Sequence, residues 1–204
     1  MDRRSFRSFA IIPAAGRSRR MGSDKLLLPY EGRPIIDRVI DAWRDGGVDE
    51  IVVVVRADHT PLLQHLQQHD VRVAASEVPL PEMIDSVRAG LRYIAQEFSP
   101  QDGDAWLLAP ADLPTLDSQA IGKLLDAYVP ATCPILAATY EDRRSHPVLF
   151  PWRMVAQVEK LPPAGTIRDL FTENRWRAVP MTLARPRDVD LPSDLPGSER
   201  KSEK

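Results

Sequence analysis

The sequence predicts an α/β fold, in which a mostly parallel sheet is covered by helices on both faces and carries one antiparallel strand near its C-terminal part. Three observations carry this expectation. Strand-like apolar runs alternate with segments whose apolar residues recur at spacings of three and four. The run Glu50 to Val55 is continuous and β-branched, the pattern of a strand buried on both faces of a parallel sheet. A tight turn at Glu141 to Arg144 is too short for a crossover helix, so the strand after it, Ser145 to Phe150, must run antiparallel.

In chain order, a buried strand begins at Phe9 and ends in a small-residue loop. Leu26 to Pro29 leads into a turn at Tyr30 to Arg33, and Pro34 opens a helix whose apolar positions are Ile35, Ile36, Val39, Ile40 and Trp43. Gly46 and Gly47 close it, because helix C-termini favour residues that tolerate left-handed backbone. After the strand at Glu50 to Val55, Thr60 and Pro61 read as the N-cap and first turn of a second helix through Leu66. Val71 to Ala74 is a short strand. Met83, Ile84, Val87, Leu91, Ile94 and Phe98 then form one face of a helix running to about Glu97. Asp104 to Ala109 is the next central strand, Asp117 caps a helix through Leu125, and Pro134 to Thr139 is the fifth strand. Beyond the antiparallel strand, short helices are expected at Arg153 to Lys160 and Thr166 to Phe171, with a strand near Trp176 to Met181 and an extended, proline-rich stretch at Arg185 to Pro192.

The totals narrow the function. With 204 residues the chain fits one domain, expected over residues 1–196 and followed by a polar, disordered tail at 197–204. A net charge of −2 gives no general attraction to nucleic acid or anionic lipid, so any basic loop acts locally and on a small anion. Cys133 is the single cysteine, which excludes an internal disulfide and a thiolate zinc cluster and points to the reducing cytoplasm. Neither an export signal nor a run of about twenty apolar residues is evident.

Chemistry concentrates in the loop after the first strand. Ala14, Ala15 and Gly16 let the backbone approach a ligand and aim its N–H groups at an anion, while Arg17, Arg19, Arg20 and Lys25 supply charge against one acid, Asp24. Spacing rules out two common phosphate loops. Lys25 trails Gly22 by three residues instead of following it directly as in a Walker loop, and no G-x-G-x-x-G follows the strand. Asp112 lies just past the strand Asp104 to Ala109, on the edge where open α/β sheets bind ligands, so it can meet the Gly16 loop there.

The stretch Ala14-Ala15-Gly16-Arg17-Ser18-Arg19-Arg20-Met21-Gly22-Ser23-Asp24-Lys25 resembles A-A-G-x-S-x-R-M-G-x-x-K, the signature of the MobA-like nucleotidyltransferases, which have a Rossmann-like three-layer sandwich. Further matches follow in order. Ser86 to Leu91 is similar to S-L-x-x-G-L, Ala111 to Pro114 to G-D-M-P, His146 to Phe150 to G-H-P-V-L-F, Gly165 to Leu170 to G-x-R-x-L-L, and Asp188 to Leu195 to D-I-D-T-P-E-D-L. The resemblance implies Mg²⁺-dependent transfer of a nucleoside monophosphate from an NTP to a phosphorylated small molecule of the molybdopterin kind, with release of pyrophosphate.

By family position, Lys25, Arg20 and Asp112 are the catalytic residues. Ala14, Ala15, Gly16, Arg17, Ser18, Arg20, Lys25 and Ser86 contact the nucleotide, and Asp112 with Asp190 holds the metal. Ala-Ala-Gly at the loop's start leans toward CTP and CMP transfer, where Ala-Gly-Gly goes with GTP. A transient contact with an enzyme that receives the finished cofactor is also implied. His146 reads as a structural histidine. Glu82, Ala111 and Ser145 stand where the family has glycine, and Glu82 is expected to bring bulk and charge to the nucleotide pocket. Transfer to a sugar or polyol phosphate, and nucleotide binding without turnover, are the competing readings.

Overall fold

The computed structural model describes residues 4–16, 24–130 and 132–195. In chain order the elements are β1 (Ser8–Pro13), a small hairpin of β2 (Pro29–Tyr30) and β3 (Arg33–Pro34), α1 (Ile35–Asp45), β4 (Glu50–Arg56), α2 (Thr60–Leu66), β5 (Arg72–Ser76) and α3 (Met83–Phe98). They continue with β6 (Ala105–Leu108), α4 (Ser118–Ala127), β7 (Ile135–Tyr140), β8 (Arg143–Pro151), α5 (Val155–Lys160), α6 (Leu170–Glu173) and β9 (Trp176–Pro180). The predicted α/β class with a mostly parallel sheet is what is observed.

Seven strands form one sheet in the order β5-β4-β1-β6-β8-β7-β9. The strands β5, β4, β1 and β6 run parallel, β8 is antiparallel to both β6 and β7, and β9 runs parallel to β7 at the edge. Strand β1 is central and its neighbours arise from opposite directions of winding. The chain moves outward from β1 to β4 and β5, then returns across to β6 on the other side. The carboxyl ends of β1 and β6 therefore flank the point where winding reverses, which is where such sheets open a crevice.

Period-two alternation assigns each strand residue to a layer. Ala10 and Ile12 of β1, with Val53, Val55 and Leu107, face Ile36, Val39, Ile40 and Trp43 of α1, Leu62 and Leu66 of α2 and Leu124 of α4. Phe9 and Ile11, with Val52, Val54 and Trp106, face Val87, Leu91 and Ile94 of α3, Val158 of α5 and Phe171. This two-sided burial is what the β-branched run at residues 50–55 requires.

Three local differences from expectation have physical causes. The turn expected over Glu141 to Arg144 is confined to Glu141 and Asp142, at φ 48° and 61°, because a hairpin needs only two left-handed residues to reverse with the right twist. Strand β8 therefore starts at Arg143 and lies inside β7, between it and β6. Pro34 precedes α1 with extended backbone, since it completes the β2–β3 hairpin. The expected helices after β8 each begin as a tighter 3₁₀ turn, at Trp152–Met154 and Ile167–Asp169. Asp117 caps α4 as expected, its carboxylate accepting from the Gln119 N–H at 2.9 Å. Of the two glycines after α1, only Gly47 takes left-handed backbone, at φ 78°. Among the described residues no helix is long and apolar enough to cross a membrane.

Gly46 serves a different purpose. A Cβ at this position would lie 2.6 Å from both Cβ and Cγ2 of Ile121, so its lack of a side chain lets α1 and α4 approach. Gly46→Ala is expected to destabilise the fold by about 1–3 kcal/mol through overpacking. Urea unfolding measures the loss, and an unchanged midpoint in Gly46→Ala would remove this account of the α1–α4 contact.

Candidate active site

The loop leaving β1 stays close to the sheet. The Ala14 N–H donates to the Val54 carbonyl at 2.8 Å, continuing the β1–β4 ladder, and Ala14 and Ala15 are buried. Gly16 is exposed, and a Cβ there would meet nothing within 4 Å, so its backbone is open to a ligand. Arg17, Ser18 and Arg20 lie outside the described residues. The chain re-enters at Asp24, whose carboxylate accepts from His59 Nε2 at 2.6 Å, just before α2. A short 3₁₀ turn, Lys25–Leu27, then carries Lys25 inward to 8% exposure.

Lys25 meets two distant carboxylates. Its ammonium donates to Asp112 Oδ2 at 2.6 Å and to Asp190 Oδ1 at 3.2 Å, across separations of 87 and 165 residues. Asp112 follows β6 on the same sheet edge. Asp190 is brought there by the C-terminal segment, in which the Val189 N–H donates to the Asp112 carbonyl at 3.0 Å and the Val189 side chain is buried in the core. Period-two geometry in this extended stretch puts Asp188 and Asp190 on the side opposite Val189. Asp194 fixes the next turn, its carboxylate accepting from the N–H groups of Asp190 and Leu191 at 2.9 and 2.8 Å, and those bonds hold its pKa below the usual carboxylate range.

The site's electrostatics follow from this convergence. Burial pulls the Lys25 pKa down, but the hydrogen bonds and charges of Asp112 and then Asp190 outweigh it and hold the ammonium above its ordinary 10.5. Partial desolvation, and after it the charges of Asp112 and Asp190, raise the Asp188 carboxyl, although that residue keeps solvent contact. Asp188 is thus a third acid of the cluster, and the alternation Asp188-Val189-Asp190 is the sequence signal that could have found it.

Two clefts open among the loops that leave the strands, and the larger reaches this cluster through Asp188 and Asp190. The smaller, about 750 Å³, is lined by Ala15 and Gly16, by Arg56 to Asp58 after β4, and by Ser76 to Pro81 after β5. Arg56 supports its floor, donating to the carbonyls of Ala15 and Gly16 at 3.0 and 3.3 Å. The larger, about 1010 Å³, contains Asp188 and Asp190 at one end and Arg143, Arg144, Arg168, Arg185 and Arg187 around it. Because β8 pairs Val148 with Leu108, the last residue of β6, its first residues overhang the ligand-facing edge. Arg144 stands 3.8 Å above the Phe171 ring and 5.4 Å from the Trp176 ring; burial and the nearby Arg168 charge lower its pKa.

The remaining expectations resolve as follows. Ser86 lies one turn inside α3 at 3% exposure and lines neither cleft. Glu82 lines the larger cleft, whereas the smaller one ends at Pro81, and its side chain turns back to cap α3 by accepting from the Asp85 N–H. His146 is tethered through Nδ1 to the Leu108 carbonyl at 3.2 Å, and burial lowers its pKa below 6.5. A carbonyl only accepts, so Nδ1 carries the proton and Nε2 keeps a lone pair. Ser145 accepts from Arg185 Nε at 3.3 Å and so holds one cation of the larger cleft, while Ala111 is buried in the core.

Known proteins resemble this chain over most of its length. The MobA-like NTP transferase domain family matches residues 10–179. A molybdenum cofactor guanylyltransferase of Rhodopseudomonas palustris is 31% identical over 201 residues, covering 94% of this chain and 92% of its own. A nicotine blue oxidoreductase of Paenarthrobacter nicotinovorans is 26% identical over 148 residues, 69% of each chain. Among solved structures, Rv0371c of Mycobacterium tuberculosis superposes with a TM-score of 0.77 at 22% identity, covering 94% of this chain and 96% of its own. A complex of Rv0371c with manganese superposes at 0.74 and 20% identity, covering 92% and 95%.

The Lys25 ion pairs give a pH prediction. Because the folded pKa is raised, their stabilisation is complete below pH 10.5 and fades as pH rises through the higher folded value. Lys25→Met is expected to cost about 1–3 kcal/mol at neutral pH, and the gap to wild type should close in the alkaline range. Unfolding curves from pH 7 upward measure it; parallel pH profiles would overturn the role of these pairs.

Proposed function

The chain belongs to the MobA-like NTP transferase family, and from that membership and the residues at the sheet's carboxyl edge we propose that it transfers CMP from CTP to a phosphorylated small molecule of the molybdopterin kind, releasing pyrophosphate. The observation that carries this reading is the meeting of Lys25 with Asp112 and Asp190 between two clefts, one lined by the Gly16 loop and the other rich in arginine.

In this reading the smaller cleft takes the nucleoside and the larger one the acceptor. The triphosphate lies along Ala14 to Gly16 with Lys25 toward its oxygens, and Arg17, Ser18 and Arg20 are assigned to it by family position. An acceptor phosphate oxygen attacks the α-phosphorus, a new P–O bond forms, and the bond to the β-phosphate oxygen breaks. Pyrophosphate leaves with the electron pair of that bond. Negative charge grows on the phosphoryl oxygens, and the Lys25 ammonium answers it. Arg144, held over two aromatic rings and beside Arg168, suits an acceptor phosphate because a planar guanidinium forks onto such an oxyanion.

The donor set also fits a divalent cation of the magnesium class. The carboxylates of Asp112 and Asp190 already converge on one cation, the Lys25 ammonium, and both are hard oxygen donors of the kind magnesium takes in small number beside substrate phosphates. Bound there, the ion would neutralise phosphate charge. Asp188 adds a third acid nearby, its pKa raised by partial desolvation and then by the charges of Asp112 and Asp190.

Preference for CTP rests on Ala15, since Ala-Ala-Gly at the start of the loop goes with cytidylyl transfer in the family and Ala-Gly-Gly with guanylyl transfer, and Ala15 lines the smaller cleft. Initial rates of pyrophosphate release with each of the four NTPs, Mg²⁺ and molybdopterin test the reading, with CTP expected to be fastest. Lys25→Ala and Asp112→Ala should each lower the rate by about 10²–10³, and Ala15→Gly should shift the CTP/GTP ratio toward GTP. Turnover with GTP alone in the wild type would reverse the base assignment, and near wild-type activity in Lys25→Ala would end its catalytic role.

A further inference from the structure

A second group of ligating side chains lies outside both clefts. Asp37 stands in the first turn of α1, His65 in the last turn of α2, and His69 just past that helix. The His69 N–H still donates to the Leu66 carbonyl at 3.1 Å, so the helical curl persists and presents His65 and His69, four residues apart, on one face. Asp37 Oδ1 lies 2.5 Å from His65 Nε2 and 3.1 Å from His69 Nε2, and the three candidate ligand atoms all fall within 4.8 Å of one another. The Asp37 side chain is 13% exposed, and the imidazoles of His65 and His69 are 22% and 14% exposed.

Hydrogen bonding alone would satisfy these groups with less crowding. A carboxylate offers two oxygens and about four acceptor positions, so two imidazoles need not share one oxygen. Here both present the same ring nitrogen to the same oxygen atom. Zinc binds imidazole nitrogen and carboxylate oxygen at about 2.0–2.2 Å, which separates tetrahedral ligand atoms by roughly 3.3 Å. The two oxygen–nitrogen spacings reach that value with a shift of less than about an ångström. Two imidazoles and one carboxylate suit a borderline metal and disfavour magnesium or calcium, which take oxygen donors. We propose that Asp37, His65 and His69 form a binding site for a zinc-class divalent cation, which clamps α2 onto α1 and leaves a fourth position to water.

The clamp bears on the smaller cleft through α2. Arg56 to Asp58, which line that cleft, run directly into this helix, and His59 at its start is bonded to Asp24, the neighbour of Lys25. The site itself involves none of the residues assigned to nucleotidyl transfer, so it stands or falls independently.

Untagged full-length protein, stripped with a chelator, is titrated with Zn²⁺ by calorimetry and with Co²⁺ by visible absorption. The expected result is uptake of Zn²⁺ with a tetrahedral Co²⁺ spectrum, unchanged in Asp112→Asn. His65→Gln and His69→Gln should each weaken binding by more than the roughly 10–100-fold that loss of an outer-shell partner costs. Zn²⁺ should raise the melting temperature of the wild type and not of the double variant. Asp37→Asn, which preserves shape, repeats the test if either glutamine variant fails to match the wild-type circular dichroism. Absence of Zn²⁺ uptake by the wild type, or uptake undiminished in the ligand variants, would overturn the proposal.

Discussion

The pairing of β1 with β4 on one side and β6 on the other is the constraint on which the site depends. Both pairings are parallel, so the three strands end on one edge, and each connection must pass over a face of the sheet. One crossover layer carries α1 and the other carries α3, which explains why residues that alternate along β1 belong to separate cores. The loop bearing Lys25 and the loop bearing Asp112 leave adjacent strands at the same height. Their contact follows from sheet geometry, and the ionic attraction then fixes its details.

The antiparallel strand β8 adds a second layer of control. Had β7 followed β6 in parallel, the edge beyond β6 would carry only connecting loops. With β8 reversed between them, its leading residues project past Leu108, and Arg143 and Arg144, paired with Tyr140 and Thr139 of β7, overhang the cleft together with Ser145 and His146 at a break in the β7–β8 register. A cation on a strand is held more firmly than one on a loop. Arg144 gains from this, since its place above Phe171 is set by the strand below and the helix above.

Much of this was legible in the sequence, for reasons tied to particular residues. Central strands declare themselves because burial on both faces demands runs such as Ile51 to Val55. The approach of Lys25 to Asp112 was legible because both follow strands that end on one edge of the sheet. Asp112 followed from its place beyond a strand. What escaped was long-range. No local pattern brings Asp37 to His65 and His69, the overhang of β8 depends on strand order, and the role of Asp188 depends on neighbours far away in the chain. Ser145 and Glu82, read as departures, belong to local networks: one positions Arg185, the other caps α3. The short 3₁₀ turns after β8 were blurred because tight and ordinary helical turns share their apolar spacing.

The tie between Val189 and Asp112 has a consequence for synthesis. The carboxylates that meet Lys25 belong to residues 112 and 190, and the second lies 165 residues beyond the lysine. A ribosome that has released the sheet through β6 has exposed Lys25 and one aspartate, but the second arrives only when nearly all of the chain has emerged. The parallel core can therefore assemble while the ion cluster is still incomplete. Closing the loop between residues 25 and 190 is one of the least local steps in folding, and until it closes the site lacks half of its acidic pair.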